Sequence, residues 1–367
     1  MKLPEFESVH GQFYVPAAVI KVGPNDIVRD LFLTVTNVEV GLKLNGAARF
    51  SFTVASAFDW QDRDFVGKGA ETPIDLLGLF AFGASVEIKL GYKEPLHTKT
   101  LFKGIVTELG TSFAEAGSPA LNVSGYDALY PLGLDKASRH WEKKTASDAA
   151  CDVAAKNSMR ATNAATDKPL DRIDQNQESD LAFIGRMAQD AKSIFYIRDG
   201  TLYFGPRSTA TPQVELGWGE GLSRFAPTAN LAEQITEVEV RGWSAKEGRH
   251  VVGKAKRGEE ENVRDGKSGG ERTAQALGKS TKVAISAPVY DQQDAEAQAK
   301  AILDKRVQGF ITGEAECVGL PELVPDSRVK LTGLGQTFSR IYYVSETTHS
   351  LDSKGYRTRF KATDRAI

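Results

Sequence analysis

The stretch RFSFTVA, residues 49–55, alternates apolar and polar side chains one by one. Phe50, Phe52 and Val54 would point to one side of an extended chain, and the serine and threonine between them to the other. The same alternation recurs in VEIKLGY, residues 86–92. A period of two residues is typical of a strand with one packed face and one wet face. The sequence therefore predicts half-buried antiparallel strands.

Two further strand patterns complete the first third of the chain. LFKGIVTEL (101–109) carries Gly104 in its interior, which is typical of a β-bulge or of a close approach between backbones. ALNVSGYD (120–127) ends the set. Several short strands without an intervening helix pack as a barrel or a sandwich. We predict that residues 1–128 form a first β-barrel domain.

The middle of the chain changes from strand to helix patterns. Thr145 with Asp148 three residues later resembles a capping box, and a second helix pattern begins near Ser179. SIFYIRDGTLYFG (193–205) then presents two apolar runs separated by Asp-Gly, which is a strong signal of a β-hairpin. Residues 129–215 are predicted to form a small α+β domain with a helix followed by a hairpin.

The segment 249–282 has no aromatic residue, six glycines and nine basic against five acidic side chains. Such a composition buries too little apolar area to offset the entropy of ordering the chain. We therefore predict a mobile loop of about thirty residues, long enough to be functional or disordered. Its expected role is to order against a partner.

A helix and further strands are predicted after this loop. Asp291 would cap a helix that runs to about Gln308, and strand patterns resume with FITGEAECV from Phe310. Residues 216–367 are thus predicted to be a second β-barrel domain. The expected fold class is mainly β with an α+β insertion, that is, two β-barrel domains flanking a small α+β domain and forming a ring.

The last strand pattern, YRTRFKATD (356–364), has one apolar and one basic face. Arg357, Arg359 and Lys361 lie on the basic face, and we predict them as a candidate interface toward a partner or a lumen. An ordinary solvated strand face would produce the same pattern, so both interpretations stay open.

Composition excludes several classes of protein. The chain has 46 Lys and Arg against 48 Asp and Glu, a net charge of −2, and therefore lacks the basic footprint of a duplex DNA binder. No 18-residue apolar window occurs, and the N-terminus lacks the pattern of a secretion signal, so no membrane insertion is predicted. Cys151 and Cys317 fit two reduced, buried thiols in a protein assembled in the bacterial cytoplasm.

No catalytic, cofactor or metal site is predicted. LGKST (277–281) and DGKSGG (265–270) each contain Gly-Lys-Ser, but a phosphate-binding loop needs an earlier glycine where Thr273 and Glu261 stand, and neither segment is expected between a strand and a helix. The acidic run GEEEN (258–262) is typical of a solvated loop. The histidines are dispersed without metal-ligand spacing: His10, His97, His140, His250 and His349.

The tryptophans occur about one per region, which favours packing over a carbohydrate-binding groove. They are Trp60, Trp141, Trp218 and Trp243.

The first and last thirds of the chain share a rhythm of three strands, which indicates either an internal duplication or the general similarity of two antiparallel β domains. The paired segments are 86–91 with 329–333, 101–106 with 341–344, and 121–127 with 359–364.

Three segments in order carry a resemblance to a known family. They are SGYDALYPL (124–132), QNQESDLAFIGRMAQDAKSIFYIRDGTLYFG (175–205) and GLPELVPDSRVKLTGLGQTFSRIYYVSETTHSLDSKGYRTRF (319–360). From about residue 14 to residue 364, the chain resembles the phage late control gene D family, the hub of a contractile tail baseplate. That family is similar to the N-terminal hub half of the type VI secretion spike protein VgrG. In the late control gene D family the terminal loop usually reads Pro-Gly, where this chain has Pro325-Asp326. Aspartate tolerates turn conformations.

The resemblance implies a structural protein rather than an enzyme. It implies a homotrimeric ring with two barrels per subunit, a virion component that adapts a hexameric tail tube to a trimeric spike. The implied partners are the tail tube protein, the spike protein, the baseplate wedge and the tape-measure protein, with no cofactor and no specific nucleic acid. The Gly- and Pro-punctuated stretch 319–335 would then form barrel wall.

Two alternatives remain. The chain could be a VgrG-like secretion spike component, although it ends at Ile367 without the oligonucleotide-binding barrel and β-helix repeats expected of a complete spike. It could also be a β protein that binds peptidoglycan or another carbohydrate. The sequence does not distinguish a phage from a tailocin or an extracellular injection system.

Overall fold

The computed structural model describes residues 2–10, 13, 15–68, 72–92, 97–115, 117–164, 169–244, 247–260 and 266–366. Strands dominate it, as the alternating patterns predict. The first part of the chain contains α1 (Leu3–His10), β1 (Pro16–Val22), β2 (Asn25–Asp26), β3 (Val35–Lys43), β4 (Arg49–Val54), β5 (Phe58–Asp59), β6 (Asp64–Gly67), β7 (Ile74–Asp75), α2 (Leu76–Leu79), β8 (Ser85–Tyr92), β9 (His97–Thr111) and β10 (Leu121–Asp127).

The middle part mixes helices with strands. It contains a short 3₁₀ helix (Pro131–Gly133), β11 (Lys136–Lys144), α3 (Ala146–Lys156), β12 (Arg160–Asn163), β13 (Leu170–Ser179), α4 (Asp180–Asp190), β14 (Ile194–Arg198) and β15 (Thr201–Gly205).

The last part returns to strands, with three further helices among them. It contains β16 (Val214–Trp218), β17 (Gly221–Ala229), β18 (Glu237–Ser244), β19 (Arg249–Lys256), α5 (Gly269–Leu277), β20 (Lys282–Ser286), α6 (Gln292–Val307), β21 (Ile311–Val318), β22 (Arg328–Thr332), α7 (Gly335–Phe338), β23 (Ile341–Asp352) and β24 (Gly355–Asp364).

The chain divides into two units, neither of which is a single stretch of sequence. The first unit comprises residues 1–214, 316–327 and 345–360, and the second comprises 215–315, 328–344 and 361–367. The predicted division into domains at residues 128 and 215 stays a prediction.

The first unit contains an antiparallel sheet whose strands follow the order β2-β1-β8-β9-β10-β4-β3, and residues 346–351 of β23 pair with β3. Phe50, Phe52 and Val54 are buried in its core, which confirms the alternation in the opening stretch. Gly104 approaches the backbone of Tyr126 so closely that a β-carbon would overlap the Tyr126 carbonyl oxygen. The predicted close approach at Gly104 is therefore confirmed.

A second core of the first unit lies in its α+β part. Thr145 forms the predicted capping box with Asp148, and Ser179 caps α4. β14 and β15 form the predicted hairpin around Asp-Gly and extend with β12 into a three-stranded sheet. Trp141 stacks on Phe183 at 4.8 Å between ring centroids inside this core. The local signals of the middle segment are thus confirmed.

Six strands close into a β-barrel. Their order is β23-β22-β16-β17-β21-β24, and β24 pairs back to β23. One barrel wall therefore includes the strands that the C-terminal patterns predict. The sets β8-β9-β10 and β22-β23-β24 each pair in chain order, in keeping with the three-strand rhythm of the sequence. The arrangement of two barrels flanking a small domain stays a prediction.

The predicted loop at 249–282 is wrong for most of its length. β19, α5 and β20 occupy it, and residues 261–265 lie outside the described part of the chain. The reason is local: Val251, Gly253 and Ala255 alternate toward the interior of a sheet with β18 and β20. Gly253 lies directly against the backbone of Ala295 in α6, so a small residue there allows the helix to pack. An average over the whole segment hides this pattern.

The helix predicted from Asp291 is α6, and Asp291 caps it by accepting a hydrogen bond from the backbone of Asp294. Ala295, Ala299 and Leu303 are fully buried against the sheet of β18, β19 and β20. In the part of the chain that the structure describes, no helix is both long enough and apolar enough to cross a membrane.

Candidate interaction surface

The C-terminal strand β24 buries one face and exposes the other. Tyr356, Thr358 and Phe360 are buried, whereas Arg359 and Lys361 are exposed and Arg357 is half-buried. The alternation is the one that the sequence predicts.

Carboxylates lie beside Arg357 and Arg359. Arg357 contacts Asp352 at 3.0 Å and Glu316 at 3.4 Å, and Arg359 contacts the other oxygen of Glu316 at 2.9 Å. The face therefore carries a charge network rather than an uncompensated basic stripe. Surface pairs of this kind contribute about 0–1 kcal/mol each to folding, so the network adds little to stability.

The segment that begins at Gly319 packs tightly on the buried face of β24. A β-carbon on Gly319 would overlap the ring of Tyr356, and the backbone N–H of Gly319 donates to the Tyr356 carbonyl. Tyr92 donates its hydroxyl to the Gly319 carbonyl at 2.9 Å, and Leu320 donates its N–H to Thr358 at 3.0 Å. Any residue with a β-carbon would clash at position 319, so only glycine fits there.

The turn after Pro325 contains Asp326 at φ 65°, in the left-handed region. The glycine usual in the resembling family adopts this conformation at little cost, and aspartate tolerates it. The Asp326 carboxylate accepts a hydrogen bond from the backbone of Ser208 at 2.8 Å and one from Tyr196 at 3.4 Å. The side chain thus fixes the turn by contacts that a glycine does not make.

A buried charged group lies in the same segment. Glu322 is 3.0 Å from Lys99 and 3.3 Å from the Nε2 atom of His10, which is itself buried between aromatic rings. Burial raises the pKa of Glu322, but the contacts with His10 and Lys99 lower it by more, so the pKa falls to about 2. The sequence gives no sign of this group, because its members are far apart along the chain.

His349 is fully buried beneath β24. Its Nδ1 atom lies 2.9 Å from the Tyr356 hydroxyl and 3.2 Å from the Thr358 hydroxyl. Burial lowers the pKa of His349 to about 4, so the imidazole is neutral near neutral pH. The sequence leaves a surface or a packed position open for His349, and the structure shows the packed one.

Other sequence candidates occupy separate positions. His140 and His250 are exposed, and the side chain of His97 lies outside the described residues, as do two residues of GEEEN. Among the described residues, no cluster of three His, Cys, Asp or Glu side chains could hold a metal ion. Cys317 is buried, but Cys151 is only half-buried, which corrects the prediction of two buried thiols.

One Gly-Lys-Ser segment does precede a helix, contrary to the sequence prediction. Ser268 caps α5 and forms a capping box with Glu271. The Ser268 hydroxyl also donates to the buried carboxylate of Glu260 at 2.8 Å, and Gly269 lies against the side chain of Gln234. A carboxylate and packed side chains therefore stand where a phosphate would have to bind.

Three of the four tryptophans are exposed, which corrects the prediction that they serve packing. Trp60, Trp218 and Trp243 are 64%, 66% and 54% exposed, whereas Trp141 is 8% exposed. Trp60 belongs to an aromatic cluster around Phe58. The ring centroid of Phe58 lies 5.4 Å from that of Trp60 and 5.6 Å from that of Phe113. The strand period explains Trp243, because it lies on the same outward face of β18 as Arg241.

The fold is that of phage tail proteins. The 43 kDa tail protein of prophage MuSo2 from Shewanella oneidensis has a TM-score of 0.70 at 14% identity, covering 94% of this chain and 97% of that one. A tail protein from Neisseria meningitidis MC58 has a TM-score of 0.70 at 16% identity, covering 96% and 97%. The Escherichia coli c3393 protein, described as a type VI secretion component similar to T4 tail proteins gp27 and gp5, has a TM-score of 0.56 at 11% identity, covering 95% and 77%.

A family model described as the Alg8 N-terminal domain matches residues 64–353. The chain belongs to the Alg8 N-terminal domain family. No curated protein sequence matches the chain. The matched family is not the late control gene D family, so membership of the latter stays a prediction.

Proposed function

We propose that this protein is a structural baseplate hub in the tail of a contractile phage or of a phage-tail-like injection particle. The observation that carries the proposal is the likeness to two tail proteins over nearly the full length of both chains. The charge pairing of the described surface residues is in keeping with such a role. The protein acts through its shape and interfaces rather than as an enzyme.

In this proposal, three copies form a ring that joins the hexameric tail tube to the trimeric spike. The protein is assembled in the bacterial cytoplasm and becomes part of the particle. Obligate rings bury large, core-like surfaces between subunits. Arg357, Arg359 and Lys361 face a partner or the lumen, where the charge network around Glu316 fixes the register of the contact. The wedge and tape-measure proteins are the further partners.

The first experiment is the solution mass of the purified chain, alone and mixed with a candidate spike protein. Size exclusion with light scattering should show a species of about three times 39.9 kDa in at least one of the two runs. A strict monomer in both runs, with no spike binding, would contradict the hub.

The charged face is tested separately by reversing Arg357, Arg359 and Lys361 together in the producing strain. We expect loss of assembled particles, because like charges would meet the partner. Reversal of the exposed Lys136 in β11 is the matched control. Intact assembly and firing of the triple variant would exclude this face as an interface.

The exposed tryptophans favour one second candidate, a carbohydrate-binding β protein. Exposed aromatic rings are the groups that stack on sugar faces, and Trp60, Trp218 and Trp243 offer such rings. A glycan array with the wild-type chain and with Trp60→Ala distinguishes the two functions. Binding that is lost in the variant would support the second candidate, and so would turnover of cell-wall material for a peptidoglycan-active protein.

A further inference from the structure

Strand β14 forms one edge of the sheet β12-β15-β14. Its hairpin closes with Asp199 at φ 52° and Gly200 at φ 76°, so the pair Arg198–Thr201 next to this two-residue turn exchanges hydrogen bonds. Hydrogen-bonded pairs alternate with non-bonded pairs along an antiparallel ladder. Phe195 and Ile197 therefore direct their backbone N–H and C=O groups away from β15.

At Phe195 this outward edge is already occupied. The backbone N–H of Asn45 donates to the Phe195 carbonyl at 2.8 Å, and the Phe195 N–H donates to the Asn45 side-chain oxygen at 3.0 Å. These two hydrogen bonds show that Phe195 directs its backbone groups away from β15, as the alternation along the ladder requires. Ile197, two residues later, presents its N–H and C=O to the same edge, and in the described part of the chain neither group has a hydrogen-bond partner. The Ile197 side chain packs against the core around Trp141.

A cavity of about 430 Å³ opens along the edge at Ile197. This volume lies within the range of about 300–1,000 Å³ that is usual for ligand sites. Apolar side chains line part of it, among them those of Leu42, Leu101 and Val324. An unpaired strand edge beside an apolar cavity fits an extended peptide, because the peptide backbone supplies both an acceptor and a donor.

Three basic and three acidic residues line the cavity, and of these Lys43 is the group that favours a carboxylate on the peptide. Of the three cations that line it, Lys99 contacts Glu322 at 3.0 Å, and Arg198 donates to the Pro325 carbonyl at 3.1 Å. Lys43 is exposed and has no ion pair among the described residues. The neighbouring carboxylate of Asp127 is buried and accepts hydrogen bonds from two backbone N–H groups, those of Ala48 and Leu129.

We propose that this cavity binds an extended polypeptide segment as an added strand on β14. The segment pairs its backbone with Ile197, places an aliphatic side chain against Leu42 and Leu101, and directs the carboxylate of a neighbouring acidic residue toward Lys43. The bound partner is thus a protein that offers a short acidic and aliphatic stretch in extended form.

The test uses the full chain and a bead-bound library of capped octapeptides with all positions randomised. We expect enrichment of peptides in which Asp or Glu adjoins Val, Ile or Leu. An enriched peptide, labelled with a fluorophore, is then titrated by anisotropy against the wild type and against Lys43→Glu. Loss of one charge pair and the new repulsion should weaken binding about tenfold or more. Lys136→Glu is the matched control and should bind as the wild type does.

The backbone pairing is tested from the side of the peptide, so that it does not depend on the folding of a variant. N-methylation of the peptide at the position that donates to the Ile197 carbonyl removes the donor and should abolish binding. Ile197→Pro, checked for wild-type circular dichroism and solution mass, should do the same. Absence of any enriched sequence, enrichment of basic peptides, or binding unaffected by both N-methylation and Lys43→Glu would overturn the proposal.

Discussion

Replacement of Glu322 by glutamine is expected to make the protein less stable and less sensitive to acid. The pKa of Glu322 falls from the ordinary 4.5 to about 2 in the folded state. A lowered pKa means that the folded state favours the charged form, so the stabilisation is present above pH 4.5 and is lost as the pH falls toward 2. The difference corresponds to about 3 kcal/mol at neutral pH, of which about 1 kcal/mol is lost at about pH 3.5.

The measurement is urea unfolding at neutral pH and at about pH 3.5, with intrinsic fluorescence as the readout. Glu322→Gln should be less stable than the wild type by about 3 kcal/mol at neutral pH, and the gap should narrow to about 2 kcal/mol at the lower pH. Glu115, which is exposed, provides the control Glu115→Gln. If the wild type and Glu322→Gln lose stability in parallel as the pH falls, the pKa of Glu322 is not lowered in the folded state and the reasoning fails.

Two further predictions concern the same segment. Gly319→Ala should destabilise the protein by about 1–3 kcal/mol, because the new methyl group overlaps Tyr356. Gly110→Ala, where a β-carbon meets only one atom at 4.0 Å, is the control in thermal melts, and equal melting temperatures would refute the steric argument. Asp326→Ala should cost about 1–3 kcal/mol, because the Ser208 N–H loses its acceptor and alanine is strained at positive φ. Asp326→Gly should be more stable than Asp326→Ala in the same melts, because glycine relieves the backbone strain, but it should stay less stable than the wild type, because the Ser208 N–H still lacks its acceptor. A glycine variant as stable as the wild type would contradict a role for the carboxylate.

Much of the fold could be predicted because its signals are local. The alternation in residues 49–55, the caps at Thr145 and Ser179, and the Asp-Gly turn each act through neighbours within a few residues. Such signals survive in any tertiary context that buries the apolar face. The structure accordingly contains each of these elements where the sequence predicts it.

The errors arise where an average or a rule of thumb replaced the local pattern. The composition of residues 249–282 predicts a loop, yet the alternation of small apolar residues within β19 decides its structure. The scattering of the tryptophans predicts packing, although the strand period places Trp243 outward. In both cases the side-chain period carries more information than the residue type.

The candidate site was less accessible to sequence reasoning. Arg357 and Arg359 could be placed on one strand face, but their pairing with Glu316 depends on a strand elsewhere in the chain. The buried group of Glu322, His10 and Lys99 joins distant segments, and the free edge of β14 depends on the position of Asn45. Contacts of this kind follow from the tertiary fold and leave no periodic mark on the sequence.

The division into interleaved units has a consequence for synthesis of the protein. The first unit takes its last residues, 345–360, from near the end of the chain. Until the ribosome has released them, β3 lacks its partner in β23 and presents an unpaired edge. Unpaired edges recruit other chains, and nascent intermediates with such edges aggregate. The first unit therefore cannot complete its fold until residues 345–360 have been synthesised, and truncation before residue 345 leaves both units incomplete.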